Sequence, residues 1–396
     1  MIYRRFGRTE LQMPVFSCGG MRYQHSWVDD EAQGITPEGQ ANLEATIRRS
    51  VELGINHIET ARGYGTSEIQ LGRVLPTFPR DQIIVQTKVH PYADSAEFRK
   101  TFNHSLGLLQ LDHVDLLGIH GINNQELFDW ALRPGGCLDE AEKLRKEGRV
   151  RHIGFSTHGP VDLITKTIET GRFDYVNLHY YWIYQNNWPA IEAATRHDMG
   201  VFIISPSDKG GMLYKPTQKL VDLCQPLSPM IFNDLFCLSH PQIHTLSLGA
   251  SKPADFDEHL KALPLLATAA DTIRPVLENL QTHYQQAMGA DWLKNWASGL
   301  PRWEETPGTI NMPIVVWLWN LLKAFDMTDY ARMRYNLLGN GGHWFPGVNA
   351  GTLADHEKAI TDKLSAYPYR DKVIEILREM ESLVGGQSVK RLSQSD

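Results

Sequence analysis

The stretch Gly54-Ile55-Asn56-His57-Ile58-Glu59-Thr60-Ala61-Arg62-Gly63-Tyr64-Gly65 decides how the chain is read. Ile55 to Thr60 has the apolar character of a short buried strand, and glycines on both sides of Tyr64 mark a turn beyond it. Glu59 stands at the strand's end and Tyr64 in the loop that follows. A carboxylate and a phenol arrive at the same end of one strand, a pairing suited to acid/base chemistry.

The rest of the chain reads as the frame around that strand. Residues 1–14 form a short hairpin turned at Gly7-Arg8-Thr9. Strand-like runs then follow at Val15–Gly19, Ile55–Thr60, Ile83–Val89, Val114–His120, His152–Thr157, Tyr175–Tyr181, Val201–Ser205 and Thr245–Ala250. Most are near-continuous apolar runs, as parallel strands buried on both faces require. Helical stripes separate them: Leu43, Thr46, Ile47, Ser50 and Val51, stopped by Gly54; Phe98, Phe102, Leu106 and Leu109; and Leu138, Ala141 and Leu144, ended by Gly148. The last helix of this series runs from Pro253 to about Leu263, with proline in its first turn. Strands alternating with helices over about 265 residues predict a (β/α)8 TIM barrel of the α/β class, preceded by the N-terminal β-hairpin. No GxGxxG follows the first strand, which argues against an open doubly wound dinucleotide fold.

Residues 266–396 carry no strand signal. Thr272–Ala287, Pro313–Phe325 and Arg370–Leu383 read as helices, Gly339–Gly347 as a loop, and the tail from Gly385 as a polar end. The division is a barrel over 1–265 and an all-helical C-terminal extension over 266–396.

Composition bounds the function. Over 396 residues, 42% hydrophobic and 21% charged content is that of an ordinary globular chain. A formal net charge of −7 supplies no general attraction to nucleic acid or anionic membrane. The four cysteines, Cys18, Cys137, Cys224 and Cys237, are far apart and form no CxxC, as expected of reduced thiols. No signal-peptide core opens the sequence, and the apolar run Ile314–Phe325 contains Lys323 and is too short to span a bilayer. These features predict a cytoplasmic protein. The sequence leaves its oligomeric state open.

In such a barrel chemistry sits at the C-terminal strand ends. Strand two delivers Glu59 and Tyr64, strand three Lys88, and strand four His120. A buried lysine and histidine need partners, and these four groups can serve one another. An ammonium nearby favours phenolate and lowers the pKa of Tyr64, so the phenol can exchange a proton with a carbonyl or alcohol oxygen near neutral pH. His120 can donate a hydrogen bond to that oxygen. His57, His90, His104, His120, His158 and His179 show no metal-ligand spacing, so no metal is expected.

At this point the chain resembles the aldo-keto reductases, barrel enzymes that move a hydride between a nicotinamide cofactor and a carbonyl. The resemblance covers residues 1 to about 265. It rests on Tyr3-Arg4-Arg5-Phe6-Gly7-Arg8-Thr9, Glu59-Thr60-Ala61-Arg62-Gly63-Tyr64-Gly65-Thr66-Ser67-Glu68, Thr87-Lys88, Asp115-Leu116-Leu117-Gly118-Ile119-His120, Gly148-Arg149-Val150-Arg151-His152-Ile153-Gly154-Phe155-Ser156 and Leu248-Gly249-Ala250-Ser251. It implies Tyr64, Lys88 and His120 as catalytic residues. Glu59 stands where the family has aspartate, so the carboxylate reaches one methylene further and the tuning of Tyr64 is altered. The extension resembles the helical C-terminal region of a bacterial branch of the family. That branch often carries iron–sulfur cysteines; none lies between Gly339 and Gly351, so no iron–sulfur cluster is expected.

The resemblance also implies a cofactor site. Ser156 matches the serine that holds the nicotinamide carboxamide, Asn177 replaces the family glutamine, and Ser205 falls near the ring and phosphates. Gly249, Ser251, Lys252, Asp255, Glu258 and His259 fall in the segment that holds the adenosine end. Lys252 favours a 2′-phosphate and Asp255 opposes one; NADP(H) is expected over NAD(H). Met21, Tyr23, Trp27, His90, Tyr92, Tyr181 and Trp182 are expected to line a pocket for a small-molecule carbonyl substrate, or else to pack the extension against the barrel mouth. The activity so implied is NAD(P)H-dependent reduction of an aldehyde or ketone. The alternative is a nicotinamide-binding sensor with weak or no turnover.

Overall fold

The computed structural model describes residues 1–28, 34–340 and 345–386. Strands β1 (Tyr3–Arg5) and β2 (Gln12–Pro14) pair antiparallel around a 3-10 turn at Gly7–Thr9. The other eight are β3 (Phe16–Gly19), β4 (His57–Glu59), β5 (Ile84–Val89), β6 (Val114–His120), β7 (Val150–Ser156), β8 (Tyr175–Leu178), β9 (Gly200–Ile203) and β10 (Thr245–Leu248). They close in the order β10-β3-β4-β5-β6-β7-β8-β9 with every pairing parallel, the barrel expected from the apolar runs.

The hairpin plugs the N-terminal end of the barrel. Phe6 is buried against Tyr175 at 5.8 Å between ring centroids, within a cluster that includes Met13, Ile84, Leu116 and Phe202. The Arg8 amide donates to Asp198 O at 2.6 Å, and the Arg5 guanidinium bridges Glu10 and Asp198. The barrel is therefore solid at this end, and its side chains stay available for chemistry at the other.

Several strands are shorter than the apolar runs, for local reasons. β8 stops at Leu178 because Tyr181 turns to exchange backbone hydrogen bonds with Tyr184. β9 stops at Ile203 because Ser205 adopts φ +53°, outside the extended region. The helix read over Pro253 to about Leu263 breaks into a 3-10 turn at Pro253–Phe256, one α turn at Asp257–Leu260, and a second 3-10 segment at Leu263–Thr268. Asp255 turns its carboxylate back onto the Ser251 and Lys252 amides and holds the tight start, while Pro264 brings no amide donor to the third piece.

The described chain divides into two compact units, residues 1–210 with 230–272, and residues 211–229 with the chain from 273. The second unit is helical, built on Met312–Phe325, Thr328–Leu337, Leu353–Lys363 and Arg370–Val384. Inside it the Lys372 ammonium lies 3.7 Å over the Trp292 ring, whose indole N–H donates to Asn320 at 2.8 Å. Within the loop read at Gly339–Gly347, residues 341–344 lie outside the described residues, as does the tail beyond 386. All four cysteines are free thiols and buried. Among the described residues no helix is long and apolar enough to cross a membrane.

Candidate active site

β4, β5 and β6 end side by side, and their register brings the four sequence-predicted groups together. Glu59 pairs with Gln86, and Lys88 with Gly118. Lys88 and Glu59 are 2% and 3% exposed, and their side chains form a buried ion pair. The Lys88 ammonium also donates to Thr60 O at 2.7 Å. Glycine is required opposite: a Cβ on Gly118 would stand 2.8 Å from Lys88 Cγ. The Tyr64 hydroxyl lies 3.5 Å from Glu59 Oε1, a long hydrogen bond, and Lys88 Nζ is 4.7 Å from the Tyr64 ring centroid. His120 meets the Tyr64 ring edge to face at 5.8 Å.

The electrostatics differ from the sequence expectation in one respect. Burial pushes the Tyr64 phenol above its ordinary value. The expected lowering by Lys88 is overridden by desolvation of the phenol, although the Tyr64 side chain as a whole is only half-buried. Burial drives the Lys88 ammonium well below the ordinary lysine range, and Glu59 and Thr60 O are the groups that hold its proton against this. His120 is lowered to about 3, first by burial and then by the Lys88 and His90 charges. Near neutral pH the site therefore presents a protonated phenol and an uncharged imidazole.

On the next strands, Ser156 of β7 is in register with Asn177 of β8. Ser156 Oγ accepts from the Gly121 amide at 3.0 Å. Asn177 is fully buried, and both ends of its side-chain amide lack a partner among the described residues. Ser205 is half-buried in its left-handed turn, and its carbonyl accepts from Lys209 N at 3.0 Å. Gly249 is exposed beside the Arg22 stem. Ser251 donates through its amide at 2.8 Å and its hydroxyl at 2.7 Å to Asp255, leaving Lys252 exposed. Glu258 pairs with Lys261 at 2.6 Å. His259 faces inward, buried, with Nδ1 2.5 Å from Asp234 Oδ2.

The aromatic residues expected at the pocket separate into two groups. Trp27 packs edge to face on Tyr64 at 6.3 Å. His90 is exposed with Nδ1 3.2 Å from His120 O, and Tyr92 lies 6.0 Å from its ring. Met21 is half-buried. Tyr23 and Tyr181 are buried instead: Tyr23 packs under Gly20, and Tyr181 bonds Ile204 O and His179. Trp182 faces Phe232 at 5.8 Å. His158 Nδ1 and His179 Nε2 stand 2.6 Å apart in stacked rings, a contact that separation along the chain gave no sign of. Among the described residues no group of three or more His, Cys, Asp or Glu could hold a metal ion.

The sequence reading quoted Arg62, Thr87 and Glu68 within its motifs but gave them no role; they meet beneath the Tyr64 loop. The available signal was Glu68 itself, an acid in a helix, Ser67–Gly72, whose six residues are all buried.

A closed parallel barrel, plugged at one end and carrying phenol, ammonium, imidazole and carboxylate at the other, defines a TIM-barrel protein with a polar strand-end site. Residues 17–286 match the model of the aldo/keto reductase family. The chain belongs to that family. L-galactose dehydrogenase of Arabidopsis thaliana is 34% identical over 142 residues, 34% of this chain and 43% of that protein. NADH-specific methylglyoxal reductase of Escherichia coli strain K12 is 27% identical over 156 residues, 34% of this chain and 47% of that protein. The chain thus spans about half the length of these curated relatives. The aldo-keto reductase of Bacillus halodurans in its holo form superimposes with a TM-score of 0.56 at 22% identity, covering 70% of this chain and 96% of that one. A Klebsiella pneumoniae aldo-keto reductase in complex with NADPH gives 0.54 at 18% identity, covering 69% and 94%. These likenesses carry the fold.

Proposed function

We propose that the protein reduces the carbonyl of a small aldehyde or ketone with a nicotinamide cofactor. One observation carries the reading: Tyr64, Lys88, Glu59 and His120 converge from adjacent strand ends, with the phenol protonated. When bound, the dinucleotide supplies a hydride. Tyr64 gives its proton to the substrate oxygen. Lys88 stands beside the ring and stabilises the negative charge left on the phenol, while Glu59 fixes the ammonium. His120, held neutral, donates a hydrogen bond that orients the carbonyl. Trp27 on the Tyr64 ring limits water at the reacting oxygen.

The residues fit a nicotinamide. A buried amide with both ends unpaired is costly, and Asn177 beside Ser156 offers the donor and acceptor that a carboxamide would use. At the other end Asp255 is occupied by Ser251 and Lys252 amides, so the exposed Lys252 dominates, which supports NADP(H) over NAD(H). The barrel of 1–265 is proposed as the catalytic part, with 266–396 as a helical extension.

A second reading, a nicotinamide-binding sensor with little turnover, is favoured by one contact: the Tyr64 hydroxyl points at Glu59 and so shares its proton internally. The two separate when NADPH and NADH are each mixed with a panel of aldehydes and absorbance at 340 nm is followed. Aldehyde-dependent loss of reduced cofactor supports the reductase. Tight cofactor binding with no loss across the panel supports the sensor.

A further inference from the structure

We propose that Glu68 is a positioning residue for Tyr64, pinning the loop that carries the phenol to the strand that carries Lys88. The inference rests on the reading of Tyr64 as proton donor.

The loop between β4 and the helix Ser67–Gly72 starts at one carboxylate, Glu59, and ends at another, Glu68. Both grip β5. Successive strand residues point to opposite faces, so Lys88 reaches inward to Glu59 while Thr87 reaches outward. The Thr87 hydroxyl donates to Glu68 Oε1 at 2.5 Å. Glu68 is 0% exposed, and its other oxygen faces Arg62 Nη1 at 3.5 Å. Arg62 lies two residues before Tyr64, and its amide donates to Lys88 O at 2.9 Å. Thr60 N bonds Gln86 O at 2.8 Å on the same strand, and Thr60 Oγ1 meets Ser67 Oγ at 2.8 Å across the loop's base. Gly65 (φ +52°) closes the far side, where any Cβ would collide with the Ser26 carbonyl.

Burial raises the Glu68 carboxyl above its ordinary value, and the Thr87 hydroxyl and the Arg62 guanidinium oppose that rise. A glutamine would satisfy Thr87 but release Arg62, and with it the loop two residues from the phenol. A carboxyl group at a site with no solvent is retained at a cost, and the geometry ties that cost to its place between Thr87 and Arg62.

Three variants decide it: Glu68→Gln, Arg62→Met and Tyr64→Phe. Loosening the loop moves the phenol by a fraction of an ångström or more, so Glu68→Gln should lower kcat about 10- to 100-fold with KM within about twofold. The second readout is independent of turnover. Tyrosinate absorbance is titrated in each variant with and without Tyr64→Phe, and the difference isolates Tyr64. In Glu68→Gln its midpoint should fall toward the ordinary tyrosine value as water enters. Loss of melting temperature alone, with kcat and the Tyr64 midpoint at wild-type values, overturns the proposal. Should Glu68→Gln fail to fold, Arg62→Met must show the same midpoint shift, and an unshifted midpoint there overturns it. If Tyr64→Phe keeps full turnover, the reading of Tyr64 fails, and the role of Glu68 in catalysis fails with it.

Discussion

Glu59→Gln is the most informative perturbation of the buried pair, because it keeps the shape and removes the charge. Lys88 is 2% exposed, and its remaining partner is the Thr60 carbonyl. Taking one member from a buried ion pair costs about 3–5 kcal/mol. Burial lowers the Lys88 ammonium well below its ordinary value, and removing Glu59 takes away the charge that opposes that lowering. The unfolded chain keeps its proton up to a pKa of about 10.4. Over the range between the lowered folded value and that one, the unfolded variant binds more protons than the folded one. Its stability must therefore rise with pH, by up to about 1.4 kcal/mol per unit. In wild type Glu59 opposes the release of that proton, so the slope is shallower. Urea unfolding followed by circular dichroism at pH 7, 8 and 9 reads both quantities. A Glu59→Gln protein with wild-type stability and no pH slope would refute the ion pair as drawn.

Other consequences are as specific. Gly118→Ala places a methyl 2.8 Å from Lys88 Cγ, and overpacking of this kind costs about 1–3 kcal/mol; urea melts check the stability loss, and steady-state rates should fall at least about tenfold as Lys88 is displaced. His57 is buried with Nδ1 2.7 Å from Ser17 Oγ, and burial lowers it to about 3. Its unfolded pKa is about 6.5, so its contribution is complete above that pH and is lost as pH falls toward 3, about 2 kcal/mol of it by pH 5; His57→Asn should flatten this acid limb in melts at pH 7 and pH 5. Asn177→Leu removes a buried amide with no partner among the described residues, so the cofactor-free protein should melt no lower than wild type while fluorescence titration shows NADPH binding weakened at least about tenfold. Unchanged NADPH affinity in that variant would remove Asn177 from the cofactor site.

The barrel was legible because its strands are buried on both faces: runs such as Val114–His120 are mostly apolar and have the same bounds in the fold. Bounds failed where polar side chains end a run. His179 and Tyr181 look like a continuation of β8 but leave the sheet for each other and for Ile204. The last helix failed because Asp255 was read as an isolated charge, whereas its carboxylate caps the turn that contains it. At the site, Glu59, Tyr64, Lys88 and His120 were visible because strand ends collect function. The state of Tyr64 was not, since a sequence shows which charges are near but not how far burial outweighs them. Glu68 was hidden for a related reason: its partner Thr87 belongs to a strand reached only through the closed sheet.

The central claim is that Tyr64, held protonated among Glu59, Lys88 and His120, is the proton donor in carbonyl reduction. Tyr64→Phe tests it most directly when kcat and cofactor affinity are measured on the same preparation. The account requires kcat to fall by about 10²- to 10⁴-fold with NADPH affinity within about twofold of wild type. Turnover that survives the loss of this one hydroxyl would contradict it.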